Sequence, residues 1–124
     1  MRFSFLTIER FQSVKARGLT FKPQVLGMGG SFETGRYVLL GLRCKDKRVQ
    51  EARFESSNCI ATVTAADWVC EKLAGASAKQ AQAIDLESVL EGLGGLPPRQ
   101  VFRARFALEA LALALESARS RGLL

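Results

Sequence analysis

The chain has 124 residues, 48% of them apolar and 24% charged, with 18 Lys and Arg against 12 Asp and Glu for a formal charge of +6. That makes one globular domain, too short for two cores and too apolar for disorder. There is no His, and the only Cys are Cys44, Cys59 and Cys70, which excludes Ser-His-Asp and Cys-His catalysis, imidazole-bound zinc and an all-cysteine tetrahedral site within one chain. No phosphate loop of the GxxxxGK[ST] type is present, and no apolar run is long enough to cross a membrane. Glu9 and Arg10 interrupt the N-terminal apolar stretch before a signal-peptide core forms. Three scattered Cys without such a signal predict reduced thiols and a cytoplasmic location.

In chain order, residues 1–22 mix two- and three-residue apolar spacing through Phe3, Phe5, Leu6, Ile8, Phe11 and Val14, so helix and strand both stay open. Residues 22–35 hold Pro23, Gly27, Gly29, Gly30 and Gly35 and read as a loop. Residues 36–44 are rich in strand formers. A polar turn at 45–48 and a second strand over 49–55 complete an antiparallel hairpin. Ser56-Ser57-Asn58 then offers side chains that cap free backbone N–H groups, predicting a helix that begins near Cys59 and runs to Gly75. Short helical pieces start at Ser77 and Asp85. Gly94-Gly95-Leu96-Pro97-Pro98 breaks the chain before a long helix over residues 99–121. On that helix Val101, Ala104, Leu108, Leu111 and Leu115 form one stripe at helical spacing, and Arg105 and Glu109 stand four apart, where they can pair. Strands followed by helices predict an α+β fold: a small antiparallel sheet of about three strands with helices packed on one face. Neither a repeat nor a second domain is visible.

The order of these pieces is familiar. A strand ends Ala52-Arg53-Phe54, a polar step leads to Asn58-Cys59 at a helix start, Ala81-Gln82-Ala83-Ile84 follows, and Leu96-Pro97-Pro98 precedes an Ala/Leu-rich last helix. This resembles the iron–sulfur cluster assembly scaffold family of the IscU/NifU N-terminal type, over roughly Gly27 to Arg121, with residues 1–26 as a divergent N-terminal segment. The resemblance implies a scaffold rather than an enzyme. Its cargo would be an iron–sulfur cluster, or iron or zinc. It implies a cysteine desulfurase and a DnaK-type heat-shock chaperone as partners, the latter docking on Leu96, Pro97 and Pro98. Family members use three thiolates and a loop Asp. Only Cys59 matches one of them here. Glu33 and Gly35 stand where a loop Cys and Asp are expected, and Phe102-Arg103 stand where a His-Cys pair is expected.

Cys59 and Glu33 are therefore the candidate metal ligands. A thiol at a helix N-terminus, near the Lys and Arg of the hairpin, is favoured as thiolate and suits a sulfur acceptor. The plainer reading is a small packing residue. Glu33 alternatively reads as a solvated loop carboxylate, Leu96-Pro97-Pro98 as an ordinary helix start, and Phe102 and Arg103 as packing and surface. Cys44 and Cys70 read as core; Cys70 lies about 16 Å along the helix from Cys59. The basic cluster Arg43, Lys45, Lys47 and Arg48 reads as a solvated turn, which leaves an acidic protein ahead of nucleic acid as a partner. A homo-oligomer with a site shared between chains would supply missing ligands. The alternative to cluster assembly is a protein-interaction module that kept the fold and lost the cluster.

Overall fold

The computed structural model describes residues 2–124. Its sheet has three antiparallel strands in the order β1 (Val25–Ser31), β2 (Arg36–Lys45) and β3 (Arg48–Ser56). The β2–β3 turn is tight because Asp46 and Lys47 both adopt positive φ, 54° and 62°, which matches the right-handed twist of the flanking strands. Lys47 is held there by donating from Nζ to the Gly122 carbonyl at 2.7 Å. Two of the other hairpin cations are also engaged. Arg43 pairs with Glu51 at 3.1 Å and lies over the Phe21 ring, and Arg48 donates to the Gly75 carbonyl at 3.0 Å.

The predicted loop over residues 22–35 is corrected by β1. Its glycines signal close approach rather than a turn. They alternate with larger residues, so Gly27 and Gly29 share the sheet face that carries Val38 and Leu40. A Cβ on Gly27 would stand 2.1 Å from the Ala110 carbonyl oxygen, and one on Gly29 would stand 1.9 Å from the Phe106 carbonyl oxygen. The last helix, Val101–Ser120, thus lies with its backbone directly on the strand. Contact at that range also needs small residues on the helix. The buried face is accordingly the row Ala104, Ala107, Ala110, Ala114 and Ala118 with Leu111 and Leu115. The predicted stripe is rotated: Val101 and Leu108 are only half-buried. Arg105 and Glu109 form no ion pair among the described residues.

In chain order the helices are α1 (Phe5–Gln12), α2 (Ile60–Leu73), α3 (Ala78–Gln82), α4 (Leu86–Gly92) and α5, the helix on β1, with a 3-10 turn at Pro98–Gln100 leading into α5. Helix α2 is the central element; every residue from Ala61 to Cys70 is buried, along with Leu73. The α1 segment is one that spacing left open. Ser4 caps it by accepting from the Thr7 N–H at 3.1 Å. Phe11 packs against the core, and polar contacts complete the attachment of α1. Asp67 of α2, 4% exposed, accepts from Arg10 Nη1 at 2.8 Å and from the backbone N–H groups of Lys15 and Ala16 at 3.0 and 2.9 Å. Just beyond, residues 16–18 cover the outer edge of β3: Phe54 N–H donates to the Ala16 carbonyl at 3.0 Å, and Gly18 N–H donates to the Phe54 carbonyl at 2.7 Å. Among the described residues no helix is long and apolar enough to cross a membrane.

Two outcomes follow from this packing. Gly27→Ala should lower stability by roughly 2–3 kcal/mol, because the added carbon meets backbone atoms that cannot rotate away. A shifted urea midpoint reads this directly. Asp67→Ala leaves two backbone N–H groups without their acceptor and the Arg10 guanidinium with only the Glu71 contact at 3.4 Å, and should cost about 2–3 kcal/mol. The same titration measures it, and protease cleavage within the first fifteen or so residues should accelerate as that segment detaches.

Candidate functional site

The step between β3 and α2 places Cys59. Ser57 N–H donates to the Tyr37 carbonyl at 3.1 Å, which anchors the step to β2, and Cys59 N–H donates to the Ser57 carbonyl at 3.1 Å. Cys59 then serves as the N-cap residue of α2, extended at φ −131° and ψ 136°, without a side-chain bond to the first turn. Its carbonyl accepts from the Val63 N–H at 2.9 Å. Sγ is therefore not occupied in capping. It lies 4.0 Å from the Gln100 side-chain oxygen, contributed by the 3-10 turn before α5. Cys59 is half-buried, whereas Cys44 and Cys70 are both buried.

Its charged surroundings differ from the expectation. The hairpin cations lie at the far end of β3, roughly 26 Å away along the strand. The cations at the Cys59 end are others. Arg17 donates to the Asn58 side chain at 3.3 Å, and Arg36, at the start of β2, sits over the Phe102 ring at 5.9 Å. Arg103 lies 4.9 Å from the centroid of the same ring, and Phe106 meets Phe102 edge-on at 5.9 Å between centroids. Phe102 is 38% exposed, so it is a surface ring carrying guanidinium groups rather than buried packing, while Arg103 is half-buried and its Nε has no hydrogen-bond partner. Each ring–cation contact is worth about 0.5–1 kcal/mol, enough together to hold this aromatic–cation stack in place.

Glu33 sits exposed in the β1–β2 turn. Thr34 beside it organises the turn, its hydroxyl donating to the Ser31 carbonyl at 3.1 Å. The turn is at the Cys59 end of the sheet, because Tyr37 bonds Ser57 while Phe32 packs against Tyr37 at 4.7 Å. Among the described residues, however, no group of three or more His, Cys, Asp or Glu side chains is placed to hold a metal ion. Leu96 and Pro97 are half-buried and Pro98 is exposed. Pro97 caps the 3-10 turn and Pro98 opens it, the Gln100 N–H donating to the Pro97 carbonyl at 2.8 Å. The Pro-Pro step thereby aims Gln100 at Cys59. Sequence reasoning missed Gln100 and Arg36, since nothing in their local pattern says that they reach across from other elements.

A fold of this layout has known relatives. The family model described as NifU-like N terminal domain matches residues 5–122. The chain belongs to that family. Two relatives from Archaeoglobus fulgidus, named iron–sulfur cluster assembly scaffold proteins IscU 1 and IscU 2, are each 25% identical over 113 residues, covering 91% of this chain and 74% of theirs. Among solved structures, a Fervidobacterium islandicum protein described as a scaffold for the SUF system superposes with a TM-score of 0.73 at 15% identity, covering 91% of this chain and 96% of that one. A Brucella abortus NifU-like N-terminal domain gives 0.66 at 17% identity, with coverage of 94% and 91%. At those identities the structures establish the α+β NifU-like fold. The family model, which starts at residue 5, takes in the Asp67-bound N-terminal segment of this NifU-like domain as well.

The two other thiols titrate differently from an exposed one. Burial pushes Cys70 up, the Asp67 charge pushes it further and Arg53 opposes both; burial also raises Cys44. An unfolded thiol releases its proton near 9.0, whereas the folded one keeps it. The stabilisation is thus fully present below that pH and falls as pH rises beyond it. Denaturant midpoints measured about one pH unit below and above that value should drop on the alkaline side. Cys70→Ala should shrink the drop.

Proposed function

We propose that this NifU-like protein serves iron–sulfur cluster assembly as a sulfur acceptor, taking sulfur on Cys59 from a cysteine desulfurase, without holding a complete cluster in one chain. The observation that carries the reading is the contrast among the thiols: Cys59 alone is not buried, and it stands at the N-terminus of α2 with its Sγ uncommitted to the cap. Free N–H groups of a first helical turn stabilise a thiolate. Family membership and the two scaffold relatives support the setting.

The transfer is a thiolate exchange. The Cys59 thiolate attacks the outer sulfur of a donor cysteine persulfide. A new S–S bond forms on Cys59, the S–S bond of the donor breaks, and the donor leaves as thiolate, so no external oxidant or reductant is required. Gln100 lies beside the sulfur on one side. A cluster or a bare iron or zinc ion fits the present residues poorly. Glu33 and Cys59 lack a third ligand, and the aromatic–cation stack on Phe102 adds positive charge at the Cys59 end of the sheet, which opposes a further cation there. The half-buried Leu96 and Pro97 leave Pro98 as the exposed part of any chaperone-docking segment there. The second reading, an interaction module without sulfur chemistry, is favoured by the same exposed Phe102 stack.

Incubation with a desulfurase and L-cysteine, followed by mass spectrometry of the intact chain, tests the proposal. The expected product carries extra sulfur on Cys59, lost in Cys59→Ser and kept in Cys44→Ser and Cys70→Ser. Anaerobic iron and sulfide should give at most a labile, substoichiometric colour. Sulfur on none of the three Cys would favour the interaction module, and a stable chromophore surviving Cys59→Ser would remove Cys59 from the mechanism.

A further inference from the structure

Positive charge collects around Cys59 from elements that lie far apart in sequence. In the β2–β3 ladder Val38 stands opposite Ser56, and Ser57 N–H bonds the Tyr37 carbonyl. One step further along the same register, Arg36 falls across from Asn58, the residue before Cys59. On the outer side of that step, Arg17 donates to the Asn58 side chain at 3.3 Å. Arg99 is exposed on the 3-10 turn beside Gln100, whose side-chain oxygen lies 4.0 Å from the Cys59 sulfur. Arg103, at 4.9 Å from the centroid of the Phe102 ring, completes the group.

This charge is not neutralised within the molecule. None of the guanidinium groups of Arg17, Arg36, Arg99 and Arg103 forms an ion pair among the described residues. The carboxylates at this end are Glu33, exposed in the β1–β2 turn, and Glu55, which accepts from the Leu19 N–H at 3.2 Å. Two of the cations are also held in place in advance, because Arg36 and Arg103 rest on the Phe102 ring. A side chain already positioned loses less freedom when a partner arrives. We propose that the Cys59 end of the sheet docks a carboxylate-rich protein segment, from which the sulfur donor presents its persulfide.

The inference rests on the reading of Cys59 as a sulfur acceptor, and it adds the chemistry by which the donor is recognised. Guanidinium groups pair with carboxylates through a planar fork of donors. Unpaired charge of one sign around a reacting atom also steers an oppositely charged segment toward it. The charge that opposes a metal ion here thus attracts a carboxylate. Nucleic acid fits less well. The cations surround one thiol instead of lining a track for a phosphate backbone, and the Phe102 ring carries guanidinium groups where a base would stack.

Thiol–disulfide exchange on the full chain is the test. The probes are two cysteine peptides activated as 2-thiopyridyl disulfides, one flanked by four carboxylates and the other by four ammonium groups. The Cys59 thiolate attacks the peptide sulfur, a disulfide forms between Cys59 and the peptide, and 2-thiopyridone leaves and is read by its absorbance. Cys44 and Cys70 are buried, so the exchange reports Cys59. Each rate is divided by that of the same peptide with free mercaptoethanol, which removes the peptide's own reactivity. At low salt the acidic peptide should react at least about tenfold faster than the basic one, and about 1 M salt should erase most of the gap. Arg17→Gln and Arg36→Gln should each narrow the gap about threefold. Lys45→Gln removes the same charge at the far end of β2 and should leave it unchanged. All three positions are exposed, so the variants should keep the fold. Equal rates for the two peptides, or equal narrowing by Lys45→Gln and Arg36→Gln, overturn the proposal. So does a single-stranded oligonucleotide that blocks the exchange at lower concentration than a carboxylate peptide without cysteine. Desulfurase loading of Cys59 without the peptide preference removes the docking surface and keeps sulfur transfer, and the preference without loading does the reverse.

Discussion

The missing side chains of Gly27 and Gly29 set the distance between the sheet and its longest helix. With carbonyl oxygens of α5 standing where those Cβ atoms would be, the helix rests on the strand backbone, and dispersion contacts replace what larger side chains would otherwise supply. The alanine row of α5 is the matching half of that contact. Once the helix lies there, its N-terminal end is fixed beside the β1–β2 turn and the start of α2. That end delivers Gln100 to Cys59 and Phe102 to Arg36. The geometry of the thiol site is thus a consequence of a contact formed further along the same helix.

The opposite side of the molecule is organised by charge rather than by shape. Asp67 occurs on a helix that is buried almost all round, and its carboxylate is tolerated because a guanidinium and two backbone N–H groups surround it. The N-terminal segment is held by this side chain, by Phe11 and Val14 packed on the core and by the Thr7 hydroxyl donating to the Leu93 carbonyl at 2.9 Å, and is then led along the β3 edge. Arg53 assists from the strand: its Nη2 donates to the Arg17 carbonyl at 2.9 Å. The Asp67 carboxylate thus acts together with Arg53 and the Phe54 backbone in closing the β3 edge.

The α+β class, the β2–β3 hairpin, and helices starting at Ser77 and Asp85 were legible because each has a local signature: strand formers, a polar turn, or a capping side chain. The start of α2 falls where expected but not for the expected reason, since its cap residue is Cys59 without a side-chain bond, and Ser56, Ser57 and Asn58 bond elsewhere. β1 was illegible for a physical reason. Glycine carries no periodicity of its own, and close approach to a distant helix leaves the same composition as a turn. The rotation of the α5 stripe was hidden for the matching reason, since alanine weighs little beside leucine when a hydrophobic face is sought by eye. At the site, Cys59 could be read from its place after Ser-Ser-Asn, and the departures at positions 33, 102 and 103 stood out against the family pattern. Gln100, Arg36 and Arg10 could not, because their roles exist only where elements far apart in sequence meet.

The ring of Phe102 also joins two elements that are far apart in sequence. Arg36 of β2 and Arg103 of α5 both rest on that ring. Removing the ring would take the aromatic support from both guanidinium groups at once while leaving their charges in place. A single substitution on the helix is therefore felt on the strand, and it frees two positive charges at the Cys59 end of the sheet rather than one.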